Sequence, residues 1–447
     1  LNSSINTADT NLRPEIKPVE HNVAGDGNSS PPFAYLSILL LLLSLFIAGC
    51  ATSHDKRTVY HYEPSYGVAS EQFERTQMAL GGGLLPGNRA ELLNNGDAFF
   101  PAMLEAIRSA KYSVNIELYI FAKGRIAESF VNALCAKARE GVEVRVLVDA
   151  VGERLEGLDK QMIEAGVQFK IYKPNKLRSI TKVSDRTHRK IITVDGRIGF
   201  TGGLAIDDRW VGNARNPEEW RDTVVRLEGP VVLQLQRIFL ENWLYTTGEF
   251  LDSLGQFPVA QVAGDVKAQA VGSSRTSQLS MAKLHYYLPI QAARKQVWIE
   301  NAYFLPDREF LTALSAAARR GVDVRVVVPG KHTDIKAVRY AGRANYRALL
   351  KAGVRLYELQ PTMLHSKVML VDGIWSSIGS INFTGRSMKS NAEANVALYN
   401  SNFADQVRSS IEADMARCKE ITLEQWKRRS LRERFREWYF GLYADFF

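Results

Sequence analysis

Two hydrophobic periods alternate along the first third of the chain. Phe100, Leu104 and Ile107 recur at helical spacing after Asp97, a residue type suited to capping a helix, and Pro101 falls in the first turn, where it is tolerated. Val114 to Phe121 reads as a strand, Ile126, Phe130 and Leu134 mark a second helix, and Val142 to Val148 a second strand. Strands alternating with helices imply an α/β layer around a largely parallel or mixed sheet. Further on, Ile191-Ile192-Thr193-Val194 and Val368-Met369-Leu370-Val371 each end at Asp-Gly, so each reads as a strand entering a tight turn.

The pattern occurs twice. Glu117 in Asn-Ile-Glu-Leu-Tyr-Ile-Phe maps onto Glu300 in Trp-Ile-Glu-Asn-Ala-Tyr-Phe, and Gly141 in Arg-Glu-Gly-Val-Glu-Val-Arg-Val onto Gly321 in Arg-Arg-Gly-Val-Asp-Val-Arg-Val. The offset drifts by a few residues, as loop insertions and deletions produce. The expected division is a signal or anchor segment over 1–50, a linker over 51–89, two similar halves over 90–256 and 257–420, and a basic aromatic tail over 421–447. The stretch Thr247 to Ser280, richer in Gly, Ser and Gln, reads as the connection between halves, with the boundary near Phe257.

Chemistry enters with the histidines, of which the chain has only seven. His188-x-Lys190 is followed by Asp195, and His365-x-Lys367 by Asp372, at the same spacing; small pairs follow each, Gly202-Gly203 and Gly379-Ser380. Side chains two apart on a strand share a face, so each half presents one imidazole and one ammonium to the same spot, while Arg189 and Ser366 point away. If the halves pack together, two His and two Lys surround one anionic group. That set suits phosphoryl transfer: one neutral imidazole attacks phosphorus, the other, protonated, serves the leaving oxygen, and the lysines neutralise the non-bridging oxygens. Asp195 and Asp372 complete the motifs and are counted with the catalytic set. Their turn positions nevertheless favour anchoring loop amides or a neighbouring base over contact with phosphate.

These residues resemble the phospholipase D superfamily, whose mark is a pair of such motifs. The longer resemblance is to bacterial cardiolipin synthases, from roughly Ala90 to Asn400. It runs through Thr187-His-Arg-Lys190, Trp220-Arg-Asp222, Tyr346 to Glu358, Met363-Leu-His-Ser-Lys367, Ser376 to Asn382 and Asn391 to Val396. It implies two similar α/β sandwich halves related by pseudo-two-fold symmetry, with one active site at their interface. It also implies that Asp222 and Glu393 accept the second ring N–H of the histidines and fix their tautomers. Gly203, Ser380 and Asn382 are the substrate-binding positions it implies. The family has Asn two residues after the small pair; Asn382 keeps it, whereas Ala205 stands at the first-half equivalent. The implied activity is phosphatidyl transfer on a phosphatidylglycerol-like phospholipid, with His188 as nucleophile and His365 as general acid. Alternatives are a phospholipase that lets water resolve the intermediate, a nucleic-acid phosphodiesterase, and a non-enzymatic anion- or membrane-binding module. The phosphodiesterase reading calls for a basic groove with interleaved aromatics, and nothing near the motifs stands out as such.

The ends of the chain point to a membrane. Residues 33–48 are an apolar run, short for a span but suited to a signal sequence, ending in Ile47-Ala48-Gly49-Cys50, which resembles a bacterial lipoprotein processing site. Lipidation at Cys50 would tether the chain in a bacterial cell envelope, and Ala51 leans toward the outer membrane; an uncleaved anchor is the rival. Near the other end Leu431, Phe435, Trp438, Leu442 and Phe446 recur every three or four residues among Arg428, Arg429, Arg432, Arg434 and Arg436. Such a helix suits an anionic membrane surface, or packs its apolar stripe on the body. The formal charge of +9 fits an anionic lipid surface or nucleic acid, and the tether favours the former. Cys135 and Cys418 have no metal spacing, and Cys135 reads as a buried small apolar residue. Without a His-Glu-x-x-His motif, an Asp-rich metal loop or a nucleotide-binding glycine loop, no metal or cofactor is expected. His21, His54, His61, His285 and His332 read as surface residues, with His332 in a loop that can reach the site.

Overall fold

A computed structural model of the chain describes residues 62, 64–173, 186–252, 255–274 and 280–447. The expected signal or anchor segment, Cys50, His21, His54 and His61 lie outside them. Among the described residues no helix is long and apolar enough to cross a membrane.

The first half contributes β1 (Leu85–Asn94), β2 (Ser113–Leu118), β3 (Phe121–Ala122), β4 (Glu143–Asp149), β5 (Glu153–Arg154), β6 (Gln168–Tyr172), β7 (Ile191–Val194), β8 (Ile198–Gly202) and β9 (Thr223–Glu228). The second contributes β10 (Val266–Ser273), β11 (Gln296–Asn301), β12 (Asp323–Pro329), β13 (Arg355–Leu359), β14 (Lys367–Val371), β15 (Trp375–Gly379), β16 (Glu393–Tyr399) and β17 (Cys418–Ile421). Apart from the short pair β3–β5, they form one mixed sheet in the order β17-β13-β12-β11-β14-β15-β16-β10-β1-β9-β8-β7-β2-β4-β6. Read outward from the β1–β10 pair, both halves run in the same order, so the repeat seen in the sequence is a pseudo-two-fold in the sheet. Within each half the first three crossover strands pair in parallel (β2–β4–β6 and β11–β12–β13) and the hairpin strands antiparallel.

Helices cover both faces. Gly96–Ser109 and Arg125–Arg139 bury Phe99, Phe100, Phe130 and Leu134 on the first half. On the other face Val231–Thr247 and Ser401–Met415 meet over one core that joins Leu147, Val225 and Phe239 to Val396, Leu398 and Ile411. A core that crosses the joint ties the halves together more firmly than the β1–β10 hydrogen bonds alone.

Several boundaries differ from the sequence reading. Asp97 is inside its helix: Asn95 occupies the cap position but makes no capping bond, because its side chain is turned to Asn213 and to the backbone N–H of Asp222. The expected linker 51–89 contains the helix Glu71–Gly81, capped by Ser70, whose Phe73 is buried beside Tyr399, and most of its end belongs to β1. The expected connection Thr247 to Ser280 contains β10, the strand that joins the halves. Its run of small and polar residues hides a strand because Ala268 and Ala270 pack closely against neighbouring elements. Near the end of the first half the buried Gln256 accepts from Asn115 and donates to Glu143.

Candidate active site

Each motif strand is framed by its Asp-Gly turn. Asp195 and Gly196 both have positive φ, as do Asp372 and Gly373, which is the conformation this dipeptide favours in a hairpin. The Asp195 carboxylate accepts the backbone N–H groups of Lys111, Tyr112 and Ser113 at 2.7–2.9 Å. Asp372 does the same for Arg294, Lys295 and Gln296. Both aspartates sit at the far ends of β7 and β14 from the histidines. They therefore leave the catalytic set and serve as anchors for the loops entering β2 and β11.

At the near ends the halves cross. The His188 N–H donates to the Ala392 carbonyl at 2.8 Å, and the His365 N–H to the Arg221 carbonyl at 2.7 Å. Each contact lies one residue before a carboxylate of the opposite half. As a result His188 Nδ1 lies 2.9 Å from Glu393 Oε2, and His365 Nδ1 lies 2.8 Å from Asp222 Oδ2. Motif order along the chain had not revealed that the pairing is crosswise. With Nδ1 engaged, Nε2 is the ring nitrogen left for substrate.

Burial drives the electrostatics. It depresses the His188 imidazole, with Lys190 and Lys367 adding to the effect against Glu393. It pushes His365 down to about 4, with Lys367 reinforcing it and Asp222 opposing. Burial alone would raise the Asp222 and Glu393 carboxyls, but the facing histidines and lysines hold both below their ordinary values. Lys190 is held well below a free lysine, and Lys367 falls to about 8, both by loss of solvent. The Lys190 ammonium donates to the His188 carbonyl at 2.7 Å; Lys367 donates to the His365 carbonyl and lies 3.2 Å from His365 Nε2.

The two histidines line a cleft of about 330 Å³ together with Lys190, Asn382 and Ala205. Asn382 is buried there and its side-chain oxygen has no partner among the described residues, whereas Ala205 offers only a methyl group. Gly203 and Ser380, expected to bind substrate, are instead occupied behind the histidines. The Ser380 hydroxyl donates to Glu393 at 2.5 Å and accepts from the Ala394 N–H. A Cβ at Gly203 would lie 2.3 Å from Asp222 Oδ1 and 2.7 Å from the His365 carbonyl oxygen, so only glycine fits.

Sequence reasoning missed several residues. The Trp210 indole donates to Asp222 at 2.8 Å, and Trp210, Trp220 and Tyr303 surround the His365 ring. Ser387 and Asn391 complete the partners of Glu393. Trp220 and Asn391 enter the sequence reading only as parts of motifs, and none of these lies at a spacing tied to the histidines. His285 corrects the surface reading: it is buried 2.7 Å from the Ser377 hydroxyl, its imidazole pushed to about 3 by loss of solvent. Asn395 links Ser377 to the Ile381 N–H, so His285 supports the turn that carries Asn382. The helix holding it, Met281–Ala292, is buried on nearly every side and had no polar face to betray it. His332 is half-buried; its loop does reach the cleft, but through Asp334 and Ile335. No group of three or more potential metal ligands occurs among the described residues.

The two copies of one half agree with what comparison with known proteins finds. The family described as "Cardiolipin synthase, PLD-like domain" matches residues 103–243 and 288–415. The chain belongs to this cardiolipin synthase family of phospholipase D-like enzymes. It is 35% identical over 356 residues to a cardiolipin synthase of Geobacillus kaustophilus, covering 78% of this chain and 70% of that protein. It is 36% identical to a cardiolipin synthase 2 of Bacillus anthracis, covering 77% and 68%. A phosphatidylserine synthase structure from Haemophilus influenzae shares the fold, with a TM-score of 0.62 at 14% identity over 85% of this chain and all of that one. The family model and the cardiolipin synthase relatives place the present chain among phosphatidyltransferases, and the family's repeated domain accounts for the doubled sheet.

Proposed function

We propose that the chain joins two phosphatidylglycerol-like lipids through a phosphohistidine intermediate at a membrane surface. The observation that carries this reading is the pair of imidazoles in one cleft, each held at Nδ1 by a carboxylate of the other half. His188 Nε2 attacks the phosphorus of the first lipid. The bond from phosphorus to the headgroup oxygen breaks, and that oxygen takes a proton from His365. The bound phosphodiester offsets the Lys367 charge and so favours the protonated His365 this step requires. A hydroxyl of the second lipid then attacks phosphorus, its proton returns to His365, and the bond between phosphorus and His188 breaks. Both lysines donate to the carbonyl of their own motif's histidine, but Lys367 also lies against the His365 ring, which leaves His188 Nε2 the freer of the two to attack.

The helix Leu431–Gly441 supports contact with an anionic membrane. It is fixed by Glu437, buried between Arg343 and Arg429, while Leu431, Phe435 and Trp438 are 80%, 61% and 58% exposed. The apolar stripe is thus left off the described body. Phe447, beyond this helix, lines the cleft, as do the exposed Val151 and Ile335. An anchor through residues 33–50, with lipid on Cys50 or uncleaved, belongs to the same reading of a bacterial envelope protein.

Incubating the purified chain in detergent with phosphatidylglycerol and separating the lipids tests the reaction. Cardiolipin with glycerol supports it, phosphatidic acid alone replaces it with hydrolysis, and no product removes it. His188→Ala and His365→Ala should each lower turnover by at least about 10³-fold.

A further inference from the structure

The walls of the cleft break the pseudo-two-fold in charge. On the His365 side the Tyr303 hydroxyl donates to Asp334 at 2.7 Å, placing a carboxylate at the wall. On the His188 side Tyr119 packs edge-on against the His188 ring, and the wall around it carries Arg154, Arg186 and Arg386. Burial, with the Asp149 carboxylate, raises the Tyr119 phenol, and the charges of Arg186, Arg386 and Arg154 act on it in the opposite sense. All three guanidinium groups therefore bear on one place.

Their pairing decides what they are for. Arg186 is 3.9 Å from the buried Asp149 carboxylate, and Arg209, elsewhere in the cleft, is held by Asp207. Arg154 and Arg386 have no ion pair among the described residues and are exposed to the cleft. Both stand on fixed supports. Gly152, two residues before Arg154, approaches the Tyr119 carbonyl so closely that a Cβ would lie 1.7 Å from its oxygen, and its own carbonyl accepts from the Phe121 N–H. Arg386 precedes Ser387, whose hydroxyl donates to Glu393 at 2.7 Å.

The geometry points to a second anion subsite on the Tyr119 wall, formed by Arg154 and Arg386 with Arg186 behind them, that takes the phosphodiester of the acceptor lipid. This rests on the transferase reading and deepens it. A neutral acceptor, water or a simple alcohol, has no use for two unpaired guanidinium groups beside the reacting histidine. An anionic lipid needs them, because a phosphate already occupies the histidines and like charges repel across a cleft of this size. The subsite favours lipid over water as the resolving nucleophile and gives the two-fold cleft a direction: the acceptor's phosphate on the Tyr119 side with its hydroxyl reaching toward His365, the carboxylate wall on the other.

The test compares two acceptors with one donor. The full chain, its Arg154→Gln, Arg386→Gln and double variants, and a double Lys variant are given phosphatidylglycerol in mixed micelles with and without added ethanol. Cardiolipin and phosphatidylethanol are measured together. The double Gln variant should lose about ten-fold or more in cardiolipin relative to phosphatidylethanol, with Lys restoring part of the ratio and added salt shrinking the difference. An unchanged ratio, or equal loss of both products, overturns the subsite. Absence of both products in the unaltered chain overturns the transferase reading itself, so the two failures are distinct.

Discussion

Trp210 gives its indole N–H to Asp222 where the second half gives the Ser380 hydroxyl to Glu393. The difference follows from chain length: the shorter carboxylate sits against Gly203, where no side chain fits, so its extra donor must come from elsewhere. Asp222→Asn and Glu393→Gln should each cost roughly 10²- to 10⁴-fold in kcat, by losing the tautomer and the charge that hold the imidazole. Trp210→Phe should cost less. Gly203→Ala should approach the Asp222→Asn loss without touching a titratable group; steady-state kinetics on folded protein would show whether it does. The pH profile of kcat, which reports the complex whose bound phosphodiester keeps His365 protonated, follows from the same burial. Lys367 keeps its charge below about 8 and loses it above, so activity should fall on the alkaline side from there. The acid limb should lie below the ordinary imidazole range, because His188 stays neutral to lower pH. Lys367→Arg, if active, should carry activity past pH 8, since a guanidinium keeps its proton there. The histidines and lysines were legible because a repeated spacing is visible in one dimension. Trp210, Ser387 and His285 were not, because they meet the site only through the fold.

The hairpins β7–β8 and β14–β15 were the best-read elements, since apolar runs ending in Asp-Gly specify both strand and turn. Their aspartates work for the scaffold. Removing one leaves three loop N–H groups without their acceptor, at a cost of about 1–3 kcal/mol or more. Asp195→Ala and Asp372→Ala should therefore lower the thermal unfolding midpoint, and lower kcat far less than His188→Ala does. An equal loss in kcat would return them to the catalytic group. The strand β10 escaped notice for the opposite reason to the hairpins. Packed between β1 and β16, it is built from small and polar residues whose pattern resembles a linker. The helix Leu431–Gly441 was legible as amphipathic, but which face would be covered depended on Glu437 finding Arg343 in a distant helix.

At the scale of the molecule, the exposed stripe and the cleft share one end of the chain, so binding to a bilayer and access to lipid should change together. Phe435→Ser with Trp438→Ser should weaken sedimentation with phosphatidylglycerol vesicles by roughly ten-fold or more, and turnover on vesicles should fall more than turnover in detergent. The mass of chain extracted from membranes separates a lipid on Cys50 from an intact anchor. The doubled architecture was legible in the repeat; the continuous sheet was not, because the β1–β10 pair joins strands too unlike in sequence to be matched. That joint has a consequence for how the enzyme can change over time. In a symmetric pair of separate chains every substitution appears on both sides of the cleft, so a carboxylate gained on one wall is gained on the other. Here the two walls are written at different places in one chain, and each can drift alone. Ala205 facing Asn382, Trp210 standing in for a serine, and an acidic wall opposite a basic one are differences that only a fused pair can keep.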